Sequence, residues 1–185
     1  MELRETRDKL GQAYYALQRM GDTENAKDKF RYNLSDFLTA ARSVLDFMSK
    51  ECKSNMRGKH RSVAGFDQWR GVKVEKLKSS RAGKILFEQR DITVHQRTVP
   101  LAVNVKLGIT LTLPNPVVSV VVHDKEGREI SRSGTGSLIR QQDPPPILEY
   151  KYYFEGVENL DVLTICRDYI QELKRLISEC ETKFD

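Results

Sequence analysis

FRYNLSDFLTAARSVLDFMSKEC, residues 30–52, is the stretch that decides the fold class. Phe30, Leu34, Phe37, Ala41, Val44 with Leu45, and Met48 recur at steps of four and three, which aligns them along one face of an α-helix. An apolar stripe this continuous needs other helices to cover it. No proline interrupts the chain before Cys52, so the spacing predicts a helix of roughly thirty residues. At 1.5 Å per residue that is about 45 Å, enough to span a bundle from end to end.

Working upstream, Leu3, Leu10, Tyr14 and Leu17 predict a first helix over 3–20 with those four side chains on its buried face. Gly21 ends it, and Asp22 or Thr23 can accept from the free amides that open the next helix. Downstream, KSNMRGKHRSVAG (53–65) breaks the apolar pattern and is mostly basic. Phe66, Trp69 and Val72 then mark a short helix anchored by aromatic side chains. Ser79 or Ser80 can cap a further one that begins near Gly83, reads KILFEQRDITVHQR, and stops before Pro100.

From Leu101 the period changes to two. Leu101, Val103, Val105, Leu107, Ile109, Leu111 and Leu113 alternate as in a strand with one buried face. VVSVVV follows Pro116, and DKEG at 124–127 has the chemistry of a hairpin turn. After Pro144–Pro146 comes a last strand, in which alternation buries Tyr150, Tyr152 and Phe154 and exposes Lys151 and Tyr153. A final helix over about 158–181 carries Val162, Cys166, Tyr169, Leu173, Leu176 and Cys180 on one stripe. The expected fold is mainly α: an antiparallel helical bundle with a small antiparallel β-sheet insertion before its last helix. The bundle comprises 1–98 and 157–185, the insertion 99–156, and together they form one domain.

Composition agrees with a soluble globular chain. Of 185 residues, 39% are hydrophobic and 31% charged, with a formal net charge of +5. Apolar runs such as 120–122 are far too short to span a membrane, and the first twenty residues contain no apolar block of signal-peptide type. Cys52, Cys166 and Cys180 form no CxxC pair and no metal-type spacing, which predicts reduced thiols and a cytoplasmic location. The charge is unevenly placed. Between Lys50 and Lys84 there are eleven Lys/Arg and three Asp/Glu, a local excess of +8 that leaves −3 for the remainder. Arg57, Lys59, His60, Arg61 and Lys84 are therefore the candidate contacts to a nucleic-acid backbone.

Among the three histidines, only His95 lies in a helix with chemically useful neighbours, in FEQRDITVHQR. Arg90 precedes it by five residues, an R-x4-H spacing. Histidine moves protons near neutral pH, and arginine holds phosphate with a planar fork of donors. Asp91, one helical turn before His95, can orient the imidazole. The spacing alone is common: in a chain of this composition about 0.8 such matches arise by chance. Five residues also rotate about 140°, so an ideal helix does not place Arg90 and His95 on one narrow face.

The ordered combination carries more weight. The F-x-x-N-L-S-x-F-L-x-A-A-R-S-V helix, then Phe66 with Trp69, then Phe87, Arg90, Asp91 and His95 together resemble a bacterial branch of the HEPN superfamily (higher eukaryote and prokaryote nucleotide-binding domains). The likeness covers about 1–98 and the terminal helix, not the β insertion. It implies a metal-independent endoribonuclease in which two protomers face their R-x4–6-H motifs into one cleft, a toxin or defence effector by class. On that basis Arg90 binds phosphate, His95 serves as general acid or base, and Asp91 supports it, with no cofactor and no metal. The implied partners are RNA, a second copy of the chain, and a cognate antitoxin or other protein, with no membrane. The alternative is a non-catalytic interaction module of the same fold, binding a protein through the bundle or the β insertion.

Two polar residues of the long helix bear on this choice. Arg42, in AARSV, can support the Arg90/His95 face from a neighbouring helix, although an interhelical salt bridge or a capped core group is the commoner use of such a residue. Asn33 lies nine residues before it, about 180° around the helix, so the two do not share a site.

Overall fold

The computed structural model describes residues 1–60, 62–95, 100–108, 120–123, 129–133, 147–157 and 160–185. In chain order the elements are α1 (Arg4–Asp22), α2 (Lys27–Gly58), α3 (Ala64–Ser79), α4 (Arg81–His95), β1 (Leu101–Gly108), β2 (Val120–His123), β3 (Glu129–Ser133), β4 (Ile147–Phe154) and α5 (Val162–Lys183). The chain is mainly helical, and its strands form two-stranded sheets, β1 with β4 and β2 with β3.

α2 buries the stripe its sequence predicts, from Phe30 through Leu34, Phe37, Ala41, Val44, Leu45 and Met48. It does not stop at Cys52. Residues 53–58, read from sequence as a break, continue the helix, because Cys52 and Met56 extend the same stripe while Ser54, Arg57 and Gly58 face outward. A run of charge is compatible with a helix whose opposite face is covered.

α1 and α2 form an antiparallel hairpin. Thr6, near the start of α1, meets Glu51 near the end of α2, while Asn33, near the start of α2, donates to the Arg19 carbonyl oxygen (3.1 Å) and Thr23 Oγ1 (3.0 Å) at the end of α1. Asn33 is buried and serves as a C-terminal cap for its neighbour. The face of α1 departs from expectation. Leu3 and Leu17 are buried and Leu10 is half-buried, but Tyr14 is 51% exposed. The packed face is completed instead by Thr6, Ala13, Ala16 and Met20. Small side chains let the two helices approach closely, and a tyrosine has no room there. The helix also runs through Gly21 to Asp22.

The beginning of α1 is tied down by carboxylates from two other helices. Glu51 accepts from the Glu5 amide (3.1 Å), the Thr6 amide (3.0 Å) and Thr6 Oγ1 (2.8 Å). Glu181 of α5 accepts from the Leu3 amide (3.1 Å) and from Arg7 Nε (2.8 Å) and Nη2 (2.5 Å). The start of α1 therefore lies against the end of α5. The ends of α2 and α5 also meet, with Cys52 and Cys180 sulfurs 3.8 Å apart and both fully buried.

In α3, Phe66 is buried and packs edge-on against Phe184, with centroids 5.4 Å apart. Val72, expected as an anchor, is 66% exposed; Val74 and Leu77 take that role. Ser80 turns the chain into α4. Its hydroxyl accepts from the Gly83 amide (3.0 Å) and lies within donor reach of the Leu77 carbonyl (2.8 Å) and Glu172 Oε2 (2.7 Å). α4 opens at Arg81, two residues before the expected Gly83.

All six residues of the α5 stripe are buried. The helix starts at Val162 rather than near 158, because Asp161 is the cap: Oδ1 accepts from the Thr164 amide (3.0 Å).

In β4, Tyr152 and Phe154 are buried as alternation predicts, Tyr150 is half-buried, and Lys151 and Tyr153 are half-buried rather than exposed. β2 pairs antiparallel with β3 from Val120↔Ser133 to His123↔Glu129, with an irregularity between Val122 and His123. The DKEG turn and the expected strand positions 109–113 lie outside the described residues. The chain divides into two compact units, Met1–Asn104 with Tyr150–Asp185, and Val105–Glu149. The inserted unit is thus narrower than 99–156, since Tyr152 and Phe154 belong to the helical core. Among the described residues no helix is long and apolar enough to cross a membrane.

Candidate functional site

α2, α4 and α5 meet at a small cleft. Its floor is apolar and includes Phe37, Leu38 and Leu86; its polar groups are Arg42 from α2, Arg90 from α4 and Tyr169 from α5. Each is placed by the helix that carries it. Arg42 follows the buried Ala41, at the edge of the α2 stripe. Arg90 follows Leu86 by one turn of α4. Tyr169 holds the middle of the α5 stripe with its ring in the core.

Phe87 joins these groups. Arg42 Cζ lies 5.2 Å from the centre of the Phe87 ring, a cation–π contact, and Tyr169 meets the same ring edge-on at 6.4 Å and 83°. Lys78 Nζ adds a third contact at 5.8 Å. Tyr169 is 3% exposed. Burial pushes its hydroxyl well above the usual phenol range, against a smaller opposing pull from Arg42 and with a further push from Glu172. The phenol therefore stays protonated and can donate. Among the described residues no carboxylate lines the cleft. The enclosed space is about 20 Å³, room for one oxygen-sized group and little more.

Arg90 is the one predicted catalytic residue whose side chain is described, and it is half-buried at this cleft. Asp91 and His95 lie on α4, whose last residue is His95; their side chains are outside the described residues, as is Arg61.

The predicted nucleic-acid contacts do not converge on the cleft. Arg57 is fifteen residues beyond Arg42, about 22 Å further along α2. Arg57, Lys59 and His60 are all exposed at that far end, where Lys59 Nζ lies 3.9 Å from Asp185 Oδ1. His60 has a second use. Its φ of 55° is left-handed, the conformation that terminates a helix just past its C-cap, a place more often filled by glycine or asparagine. Lys84 is exposed on α4, but six residues before Arg90 places it about 120° around the helix. Part of the basic excess is also neutralised locally: Lys53 pairs with Asp67 (2.7 Å), Lys78 with Glu75 (2.8 Å), and Lys73 with Glu179.

Sequence reasoning missed Tyr169, read only as one more core position, and the platform role of Phe87. The available signal was a residue with a polar tip inside an otherwise apolar stripe. A wider groove of about 400 Å³ separates α3 from α5, but its Glu172 and Glu179 are engaged by Ser80 and Lys73. Among the described residues no group of His, Cys, Asp and Glu is arranged to hold a metal ion. Comparison of the chain with family models, with curated proteins and with solved structures finds no match to any of them.

Proposed function

We propose that the chain is a HEPN-like, metal-independent endoribonuclease, cytoplasmic, acting as a homodimeric toxin or defence effector held in check by a cognate antitoxin or other protein. The observation that carries this reading is the position of Arg90. The arginine of the R-x4-H spacing lines a cleft together with a second arginine, Arg42, and the buried Tyr169.

In this reading the 2′-hydroxyl of RNA attacks the adjacent phosphorus and the P–O5′ bond breaks, leaving a 2′,3′-cyclic phosphate and a 5′-hydroxyl. His95 takes the proton from the 2′-hydroxyl, and His95 of the second copy delivers one to O5′. Arg90 stabilises the charge that builds on the non-bridging oxygens, and Asp91 orients the imidazole. Pairing two chains lets Arg90 of one serve His95 of the other, which removes the need for both on one face of a single helix.

The test is cleavage of end-labelled single-stranded RNA in the presence of a chelator. Wild type should yield cyclic-phosphate ends, and His95→Ala should be at least about a hundredfold slower with its fold intact. RNA left whole by the wild type, or an equally active His95→Ala, overturns the reading.

One observation favours the second reading, a binding module. Val105 on β1 and Leu148 on β4 are 51% and 49% exposed on strands that pair with one another. A partner-dependent module would lose its partner on Val105→Asp while His95→Ala changed nothing.

A further inference from the structure

We propose that Cys52 of α2 and Cys180 of α5 are a redox pair: a peroxide joins them in a disulfide that clamps the end of α5 to α2, and a thiol reductant releases it. The device is independent of what the Arg42/Arg90 cleft does.

Two apolar stripes bring the sulfurs together. Cys52 continues the α2 stripe one turn past Met48, and Cys180 closes the α5 stripe one turn past Leu176. Ten residues before Cys52 and eleven before Cys180 stand Arg42 and Tyr169, which share a cleft, so the two helices run in the same direction and keep register. Both thiols are free and fully buried, and at 3.8 Å the sulfurs touch. A disulfide needs them to close by about 1.8 Å more, a movement that rotation about the two Cα–Cβ bonds can share. Cys166, fourteen residues earlier on the same α5 stripe, is equally buried but has no sulfur contact. It is the control that the chain itself supplies.

The pair is asymmetric. Burial raises the Cys52 thiol, but Cys180 donates its S–H to the Cys52 sulfur, which opposes that rise. For Cys180, burial and the neighbouring sulfur both push upward. Cys52 is therefore the sulfur that reacts first. Its thiolate attacks one oxygen of hydrogen peroxide, the O–O bond breaks, and the departing hydroxide takes up a proton to become water, which leaves the sulfenic acid of Cys52. Cys180 then gives up its proton and attacks the Cys52 sulfur. The S–S bond forms, the S–O bond breaks and a second water departs. Two thiols have lost two electrons, and one peroxide has become two waters. A small uncharged oxidant suits so enclosed a pair. Cys180 stands three residues from the end of α5, where a helix opens most readily, and that opening admits a peroxide before it admits a bulky disulfide.

The link would join residues 128 positions apart, enclosing α3, α4 and the inserted strands in one covalent loop. Closing a loop of that length restricts the unfolded chain strongly.

The experiment takes the full chain, reduced and freed of reductant, treats it with hydrogen peroxide near neutral pH, and alkylates it with iodoacetamide in denaturant. Mass spectrometry of the intact chain and its peptides should find a monomer with Cys166 alone alkylated and a Cys52–Cys180 cross-linked peptide; dithiothreitol should restore all three alkylated thiols. The oxidised chain should melt about 5–10 °C above the reduced one. Cys166→Ala should keep the link. In Cys180→Ala the sulfenic acid has no partner, so dimedone should label Cys52. Should the alanine variants not fold, the wild-type peptide map and melt carry the test. Three alkylated thiols after peroxide, sulfinic acid in place of the cross-link, or a link that includes Cys166 or joins two chains overturns the pair. A melting temperature that is unchanged or lower on oxidation overturns the clamp.

Discussion

The ring of Phe30, at the start of α2, lies flat on that of Tyr152 in β4, with centroids 3.8 Å apart and planes 11° from parallel. So direct an overlap sets two negative ring faces against each other, which ring electrostatics disfavours. The pair is held by burial instead, Phe30 fully and Tyr152 to 3% exposure, and by the Tyr152 hydroxyl donating to the Glu24 carbonyl oxygen at 2.8 Å. Phe30→Ala should cost about 3–5 kcal/mol. Tyr152→Phe, which removes the hydroxyl alone, should cost about 1 kcal/mol and lower the melting temperature by about 2–4 °C. Thermal melts of both variants check this, and an unchanged Tyr152→Phe would show the hydroxyl to be idle.

Two glycines make an opposed pair. A methyl group on Gly83 would fall 1.8 Å from the Leu77 carbonyl oxygen, which is backbone and cannot step aside, while one on Gly11 meets nothing within 4 Å. Gly83→Ala should destabilise by about 3 kcal/mol, as the turn between α3 and α4 must open. Gly11→Ala, inside α1, should stabilise by about 0.5–1 kcal/mol. Denaturant titrations measure both; equal midpoints for the two variants would refute the close approach at Gly83.

Arg7's hydrogen bonds, supported by the Leu3 amide, hold the Glu181 carboxyl below its usual range against the opposing effect of burial. A carboxylate whose folded pKa is depressed contributes stability that is complete above the unfolded value, about 4.3, and is lost as pH falls through the folded one. Glu181→Gln should therefore be less stable than wild type at pH 7, with the difference shrinking below about pH 4. Melts from pH 3 to 7 read this directly, and a gap that stays constant across that range contradicts it.

The helical frame was legible from the sequence because its longest element repeats one signal many times. Every apolar position named on the α2 stripe is buried, and so is every one on α5. Tyr14 misled because apolar spacing ranks a tyrosine with a leucine, whereas close packing of α1 on α2 selects Ala13 and Ala16. α2 extends beyond the expected Cys52 because Met56 continues the apolar period, and a run of charge on the outer face does not break a helix. For the cleft, Arg90 could be found by local spacing. The cation–π contact of Arg42 with Phe87 joins residues forty-five positions apart, and Tyr169 reaches them from another helix. No window of sequence contains all three. The carboxylate anchors of α1 were invisible for the same reason.

Those anchors bear on how the protein is made. The Leu3 amide waits for a carboxylate 178 residues later in the chain. At the pace of translation, about 5–20 residues per second, roughly ten to forty seconds pass before Glu181 is synthesised. During that interval α1 can pair with α2, and Glu51 can take the Glu5 and Thr6 amides, but Arg7 and the Leu3 amide remain open to solvent. A nascent chain stalled before α5 would thus hold the first turn of α1 through Glu51 alone, with Leu3 and Arg7 secured only when the last helix docks, an order of events set by two side chains.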